Sequence, residues 1–267
     1  MRSPTRLALP RAYAPFSVPR GADLTLDVSP GPLPLVATPV LFESGGTWTA
    51  HARPGGLVYA FRSKGPASAP DRLLDVNHAR TRGTLRVPPF RPGSPHPLAY
   101  PLDDLLFQHH FARAGELVVH ACGLVLDGAA VLFCGTSGAG KTTTARLWSR
   151  RARVLSDDRV VLTRRGRRLI AHGTPWHGEG RFAAAASAPL RALFFLRHGR
   201  TSRATPVAPP SAAARLFART FPPPWDAVAV DRTLAACARV AQSLPAWDLS
   251  FRPDRSAIAV VRETLAR

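Results

Sequence analysis

Ala129-Ala-Val-Leu-Phe-Cys134 runs directly into Gly135-Thr-Ser-Gly-Ala-Gly140-Lys141-Thr142, and the reading of this stretch decides the fold. The first six residues form a short apolar run closed by a glycine, the pattern of a buried strand. The next eight follow G-x-x-x-x-G-K-[ST], and helix-compatible residues begin at Lys141. A strand that delivers a glycine-rich loop into a helix N-terminus builds a phosphate cradle. The glycines let backbone N–H groups turn inward, and the helix adds the positive end of its dipole. Gly135, Thr136, Ser137, Gly138, Ala139, Gly140, Lys141, Thr142 and Thr143 are therefore the expected nucleotide contacts. Lys141 is expected to reach the β- and γ-phosphates of ATP, and the Thr142 hydroxyl to hold Mg²⁺. Of the 36 residues that are Lys or Arg, only Lys64 and Lys141 are lysine. One of them thus stands where a compact ammonium is needed and a guanidinium fits poorly.

Downstream, the apolar run Val154–Ser156 ends in Asp157-Asp158, 16 residues beyond Lys141. A strand that ends in Asp near such a loop aims a carboxylate at the metal. Two adjacent acids allow two roles, one as Mg²⁺ ligand and one as general base toward an attacking hydroxyl. The competing reading is a solvated turn or helix cap. His120, taken alone, reads as a core histidine.

Around this centre the chain falls into two parts. Residues 1–35 hold seven prolines and read as an extended lead-in. Val40–Phe42, Thr47–Ala50 and Leu57–Phe61, separated by Gly45-Gly46 and Pro54-Gly55-Gly56, predict a small antiparallel unit. Pro88–Pro97 is the boundary candidate, which gives a β-rich region over 1–97 and a second domain over 98–267. In the latter, Leu102–Ala114 has helical spacing and stops at Gly115. Leu117–Ala121, Gly123–Leu126 and Ala129–Cys134 read as three strands, with Asp127-Gly128 as a hairpin turn. A helix of about ten residues is expected from Lys141. Strands follow at Val154–Ser156, Val160–Thr163, Leu169–Ala171, Leu190–Leu196 and Trp247–Phe251. Helices are expected at Ser211–Arg219, Asp226–Ser243 and Asp254–Ala266, the last with Asp254 as N-cap. Strands mixed with helices predict an α/β domain with helices packed on a sheet.

Composition narrows the function. Apolar residues make up 45% of the 267, enough for a sizeable core. No apolar run approaches the roughly 18 residues that span a bilayer, and the prolines near the N-terminus interrupt any signal-peptide core. Cys122, Cys134 and Cys237 offer neither a disulfide framework nor metal-binding spacing. The expectation is a cytoplasmic protein with no membrane partner. The net charge of +19 invites a nucleic-acid reading. Against it, Arg stands at nearly every basic position, while Asn occurs only at Asn77 and Ile only at Ile170 and Ile258. That skew points to a composition bias across the whole chain, and aromatic residues do not interleave the arginines.

The histidine, the loop and the paired acids together resemble the catalytic domain of HPr kinase/phosphorylase. The pattern is His120-Ala-Cys-Gly-Leu-Val-Leu-Asp-Gly, then Gly135–Thr142, then Leu155-Ser-Asp-Asp158, with 21 residues between His120 and Lys141. It covers about residues 115–180 well and the rest of 100–267 loosely. The resemblance implies a P-loop kinase domain that transfers the γ-phosphoryl of Mg-ATP to a hydroxyl of a protein or peptide. It implies Asp158 as general base, Asp157 near the metal, and His120 lining the site to orient the phosphoryl group. It also implies self-association into a homo-oligomer. Two positions depart from the family: Ala121 replaces its glycine, and Lys-Thr replaces its usual Lys-Ser.

The family's downstream signature gives way to His172-Gly-Thr-Pro-Trp-His-Gly-Glu179-Gly. There Glu179 is a candidate second metal ligand, and His172, His177 and Trp176 are candidate contacts. Arg181 and Arg191 are candidates, by position alone, for the arginine the resemblance implies at the transferring phosphoryl group. The short length and this Gly-Thr-Pro-Trp segment resemble HPr-kinase-related proteins, some associated with peptide-modification gene clusters. The loop and acid pair also resemble phosphoenolpyruvate carboxykinase. A small-molecule phosphotransferase of that kind and a non-catalytic ATP-binding module are the alternative readings.

Overall fold

The computed structural model of the protein describes residues 3, 10–19, 21–62, 65, 68–90 and 96–267. Lys64, residues 91–95 of the proline-rich boundary, and residues 1–2 and 4–9 of the lead-in lie outside the described residues. Two compact units divide the chain: one runs up to Leu106 apart from Ala12–Phe16, and the other comprises Ala12–Phe16 and Phe107–Arg267.

The first unit is one six-stranded sheet. Its strands are β1 (Thr25–Pro30), β2 (Val40–Glu43), β3 (Trp48–Arg53), β4 (Gly56–Phe61), β5 (Arg72–Asn77) and β6 (Arg82–Val87). They lie in the order β1-β6-β5-β4-β3-β2, antiparallel throughout except for β1 beside β6. The apolar alternation of β1 buries Leu26 and Val28. Part of the proline-rich lead-in is therefore a paired strand. Proline density hid it, yet Pro30 sits at the strand's end on a sheet edge, where a missing N–H is tolerated. β5 and β6 were equally absent from the sequence reading.

Helix α1 (Leu102–Ala114) leads into the second unit, a mixed α/β fold. Its elements are β7 (Leu117–Leu126), β8 (Ala129–Cys134), α2 (Lys141–Trp148), β9 (Arg153–Ser156), β10 (Arg159–Arg165) and β11 (Arg168–His172). There follow β12 (Ser187–His198), β13 (Arg203–Pro206), α3 (Pro209–Phe217), α4 (Ala227–Ser243), β14 (Ala246–Phe251) and α5 (Arg255–Ala266). The sheet runs β11-β10-β7-β8-β12-β14-β13, with β9 also on β7. β8, β12 and β14 are parallel. The long strand β12 also pairs with β11, so the β11-β10-β7-β8-β12 part closes on itself.

Both faces of the central strands are buried, as parallel strands require. Ala130, Leu132 and Cys134 face a core shared with α3 and α4, while Val131 and Phe133 face one shared with α2 and α5. The two segments expected at 117–121 and 123–126 are one continuous strand. Gly123 does not interrupt it: a Cβ there would come within 2.8 Å of a Val160 methyl, so the glycine admits close packing of β10. The N-terminal half of β7 pairs with β10 and the C-terminal half with β8 and β9, and His120 lies at the changeover.

One buried carboxylate fastens the start of α4. Asp226 accepts from His109 Nε2 at 2.7 Å, from Arg113 Nε at 2.6 Å and from the Ala229 amide at 3.2 Å, the last as helix N-cap. Burial alone would raise its carboxyl, but these partners outweigh burial and hold it far below the usual range. A depressed folded value adds stability above the unfolded carboxylate range, lost as pH falls through the folded value. Asp226→Ala is therefore expected to cost about 3 kcal/mol in urea unfolding near neutral pH. The gap to wild type should shrink as the same titration is repeated at progressively lower pH.

Candidate active site

Loop 135–140 leaves β8 and turns sharply at Gly138 (φ 77°) and Gly140 (φ 103°), where L side chains are strained. Gly140 is also pressed by Phe251: a Cβ would meet its ring at 2.7 Å. Gly140 caps α2 without any side-chain hydrogen bond, so the first amides of the helix keep their capacity to hold an anion. Lys141 Nζ donates to the carbonyls of Gly135 (3.1 Å) and Thr136 (2.9 Å). It pairs with no carboxylate among the described residues, and burial lowers its pKa. His198, at the end of β12, donates from Nε2 to the Gly138 carbonyl at 2.8 Å and braces the loop from outside.

The paired acids differ sharply in environment. Asp157 is 1% exposed and accepts four hydrogen bonds. Oδ1 takes the amides of Gly178 (2.9 Å) and Phe182 (3.3 Å). Oδ2 takes the Gly180 amide (2.9 Å) and the Thr142 hydroxyl (3.0 Å). A carboxylate offers about four lone-pair sites, so Asp157 is saturated. Asp158 has two side-chain partners, His120 Nε2 on Oδ1 at 3.1 Å and Arg159 Nη1 on Oδ2. Burial would raise the Asp158 carboxyl, but the His120 hydrogen bond and the Arg159 and Lys141 charges outweigh it and hold it ionised. It retains acceptor capacity toward the cavity it lines.

That cavity, about 420 Å³, is lined by His120, Ser137, Gly138, Gly140, Lys141, Thr142, Thr143, Asp157, Asp158, Gly178 and Glu179. Most of the residues singled out in the sequence thus converge on it. Gly135 and Thr136 meet it through Lys141, and Ala139 is buried beneath the loop. Others do not converge. His172 bonds Thr163 Oγ1 at 2.9 Å, and His177 is exposed and donates to the Gly178 carbonyl. Trp176 contributes its carbonyl, which accepts from the buried Ser156 hydroxyl at 2.8 Å. Arg191 donates to the Leu265 carbonyl and lines a separate cavity, and Arg181 is exposed outside the lining.

Sequence reasoning missed several supports. The Ser156 hydroxyl accepts the amides of Asp158 and Arg159 at 3.1 Å each, and the Thr174 hydroxyl donates to the Arg159 carbonyl at 2.6 Å. Together they fix the acid-bearing turn. Arg159 and Phe221 flank Asp158 and His120, with the guanidinium 4.9 Å from the Phe221 ring centre. Nothing in the linear spacing brings Phe221 to this place. Cys134 adds no nucleophile: burial pushes its thiol up to about 12.

The residues present fit a metal carried by a nucleotide better than a free-standing ion. Among the described residues no three His, Cys, Asp or Glu side chains gather to hold one. Thr142, Asp157 and Glu179 nevertheless border one cavity, and Mg²⁺ is commonly held by one or two carboxylates together with substrate phosphates. Among the described residues, no helix is long and apolar enough to cross a membrane.

The family model of the SynChlorMet cassette protein ScmC matches residues 105–250. No curated protein matches the chain. Among solved structures, the HPr(Ser) kinase/phosphatase from Coxiella burnetii is similar at 15% identity and a TM-score of 0.33, covering 56% of this chain and 88% of that one.

Gly178 and Gly180 are set by the saturated carboxylate. A Cβ on either would fall 2.9 or 2.7 Å from Asp157 Oδ2. Gly180→Ala is therefore expected to destabilise the protein by about 1–3 kcal/mol in denaturant unfolding, because the buried acid has no room to yield.

Proposed function

We propose that this chain, which belongs to the family of the SynChlorMet cassette protein ScmC, is an ATP-dependent phosphotransferase. Its acceptor is a hydroxyl of a protein or peptide. The carrying observation is the contrast between the two acids: Asp157 is spent on four donors, while Asp158 is ionised and open to the cavity shared with Lys141. A saturated acid can anchor, and an unsaturated one can take a proton.

In this reading the triphosphate lies on loop 135–140 and the first amides of α2, with Lys141 against the β- and γ-phosphates. The acceptor oxygen attacks the γ-phosphorus, and its proton passes to a free lone pair of Asp158. The bond from the γ-phosphorus to the β–γ bridging oxygen breaks, and ADP leaves with that electron pair. A hydroxyl becomes strongly acidic as its bond to phosphorus forms, so a carboxylate held ionised by His120 and Arg159 is base enough. Mg²⁺ would be held by the Thr142 hydroxyl oxygen and Glu179, with Asp157 behind Thr142 accepting its proton, and would supply charge neutralisation on the phosphates. His120 orients Asp158 and borders the transferring group. Loop, lysine and acids all belong to one compact unit, Phe107–Arg267 with Ala12–Phe16, which supports assigning the chemistry to that unit.

Two variants test the reading. Lys141→Ala is expected to abolish the thermal stabilisation by Mg-ATP, which at 100 times Kd amounts to about 2.7 kcal/mol in wild type. Asp158→Asn is expected to keep ATP affinity within a few fold by calorimetry. Its transfer of labelled γ-phosphate to a degenerate library of serine-, threonine- and tyrosine-containing peptides should fall by about 10²–10⁴. Equal transfer by Asp158→Asn and wild type would remove Asp158 from the reaction.

A further inference from the structure

Phe221 is half-buried yet belongs to neither hydrophobic core of its unit. Its ring lies instead against two polar groups. The Arg159 guanidinium carbon is 4.9 Å from the ring centre, and the His120 imidazole packs at 6.0 Å with a 48° tilt. These two side chains hold the two oxygens of Asp158, Arg159 on Oδ2 and His120 on Oδ1. One aromatic surface thus carries both arms of the clamp on a single carboxylate.

The backbone bearing Phe221 is fixed with matching care. α3 ends at Phe217, and the Thr220 hydroxyl donates back to the Phe217 carbonyl at 2.7 Å. The Arg219 carbonyl accepts the His120 amide at 2.7 Å, and Thr220 bridges to Val119. The segment after α3 is therefore laid along β7 at the residue that enters the site. Neither Phe221 nor Arg159 lines the cavity, so whatever Phe221 does for chemistry passes through His120 and, by way of Arg159, Asp158.

We propose that Phe221 is a positioning residue that, through Arg159 and His120, fixes the proton-accepting face of Asp158. This rests on the phosphotransferase reading above. The ring's electron-rich face attracts the guanidinium, whose carbon lies over it while Nη1 reaches the carboxylate. An aliphatic side chain of similar volume fills the space without that attraction.

The test compares full-length wild type, Phe221→Leu and Phe221→Tyr for Mg-ATP affinity by calorimetry. The same proteins are assayed for the transfer rate of labelled γ-phosphate to water and to the degenerate peptide library. Phe221→Leu is expected to lose about tenfold in rate with Kd for Mg-ATP within twofold of wild type, and Phe221→Tyr to restore the rate. A wild-type rate in Phe221→Leu would overturn the assignment. So would a parallel loss of ATP affinity, or failure of tyrosine to rescue, because each makes Phe221 a packing residue. A wild type that binds Mg-ATP but transfers to neither acceptor would overturn the phosphotransferase reading itself, and this assignment with it.

Discussion

The carboxylate of Asp157 ties together three parts of the chain that are distant in sequence. It follows the β9 strand, accepts the hydroxyl of Thr142 on α2, and takes three amides from the segment 178–182. At 1% exposure it would be costly as an isolated charge, and four donors compensate that cost. Without it the segment carrying Glu179 loses three amide anchors and the start of α2 loses the Thr142 bond. The two glycines flanking Glu179 follow from the same constraint, since a Cβ on either would fall within 3.0 Å of Asp157 Oδ2.

The neighbouring acid shows how one peptide bond separates two chemical roles. The two acids occupy the turn between β9 and β10, whose backbone aims their side chains in different directions. Asp157 turns into the protein and Asp158 toward His120, Arg159 and the cavity. The turn that enforces this is held by the hydroxyls of Ser156 and Thr174, both almost fully buried and both hydrogen-bonded. One lysine and three carboxylates line the cavity. Among the described residues Lys141 donates only to carbonyls, and the α2 amides have no side-chain cap. Under the phosphotransferase reading proposed above, a polyphosphate would lie on those amides.

Much of this was legible in the sequence because it is local. The strand, loop and helix from Ala129 to Trp148 are contiguous, and their glycine and lysine spacing reflects backbone requirements that few sequences meet. Asp157 and Asp158 were legible as a pair for the same reason. What separates them was not, because saturation of Asp157 depends on amides from Gly178, Gly180 and Phe182, more than twenty residues away. Phe221 was invisible because only the fold of α3 against β7 brings it to His120. In the first unit, β1 was missed because prolines mask a two-residue alternation. In the second, one strand was read as two segments, 117–121 and 123–126, where Gly123 in fact serves close packing within it. Arg191 failed as a candidate because its position followed the chain and not the sheet: it donates to the Leu265 carbonyl and lines a different cavity.

A crystal structure of the full chain with Mg²⁺ and the β,γ-imido analogue of ATP tests the division of roles between the two acids most directly. The account predicts the triphosphate on the amides of loop 135–140 and α2, Asp157 still holding Gly178 and Gly180, and the γ-phosphorus nearer Asp158 than Asp157. A nucleotide bound away from that loop, or a γ-phosphorus lying against an Asp157 released from its glycine amides, would contradict it.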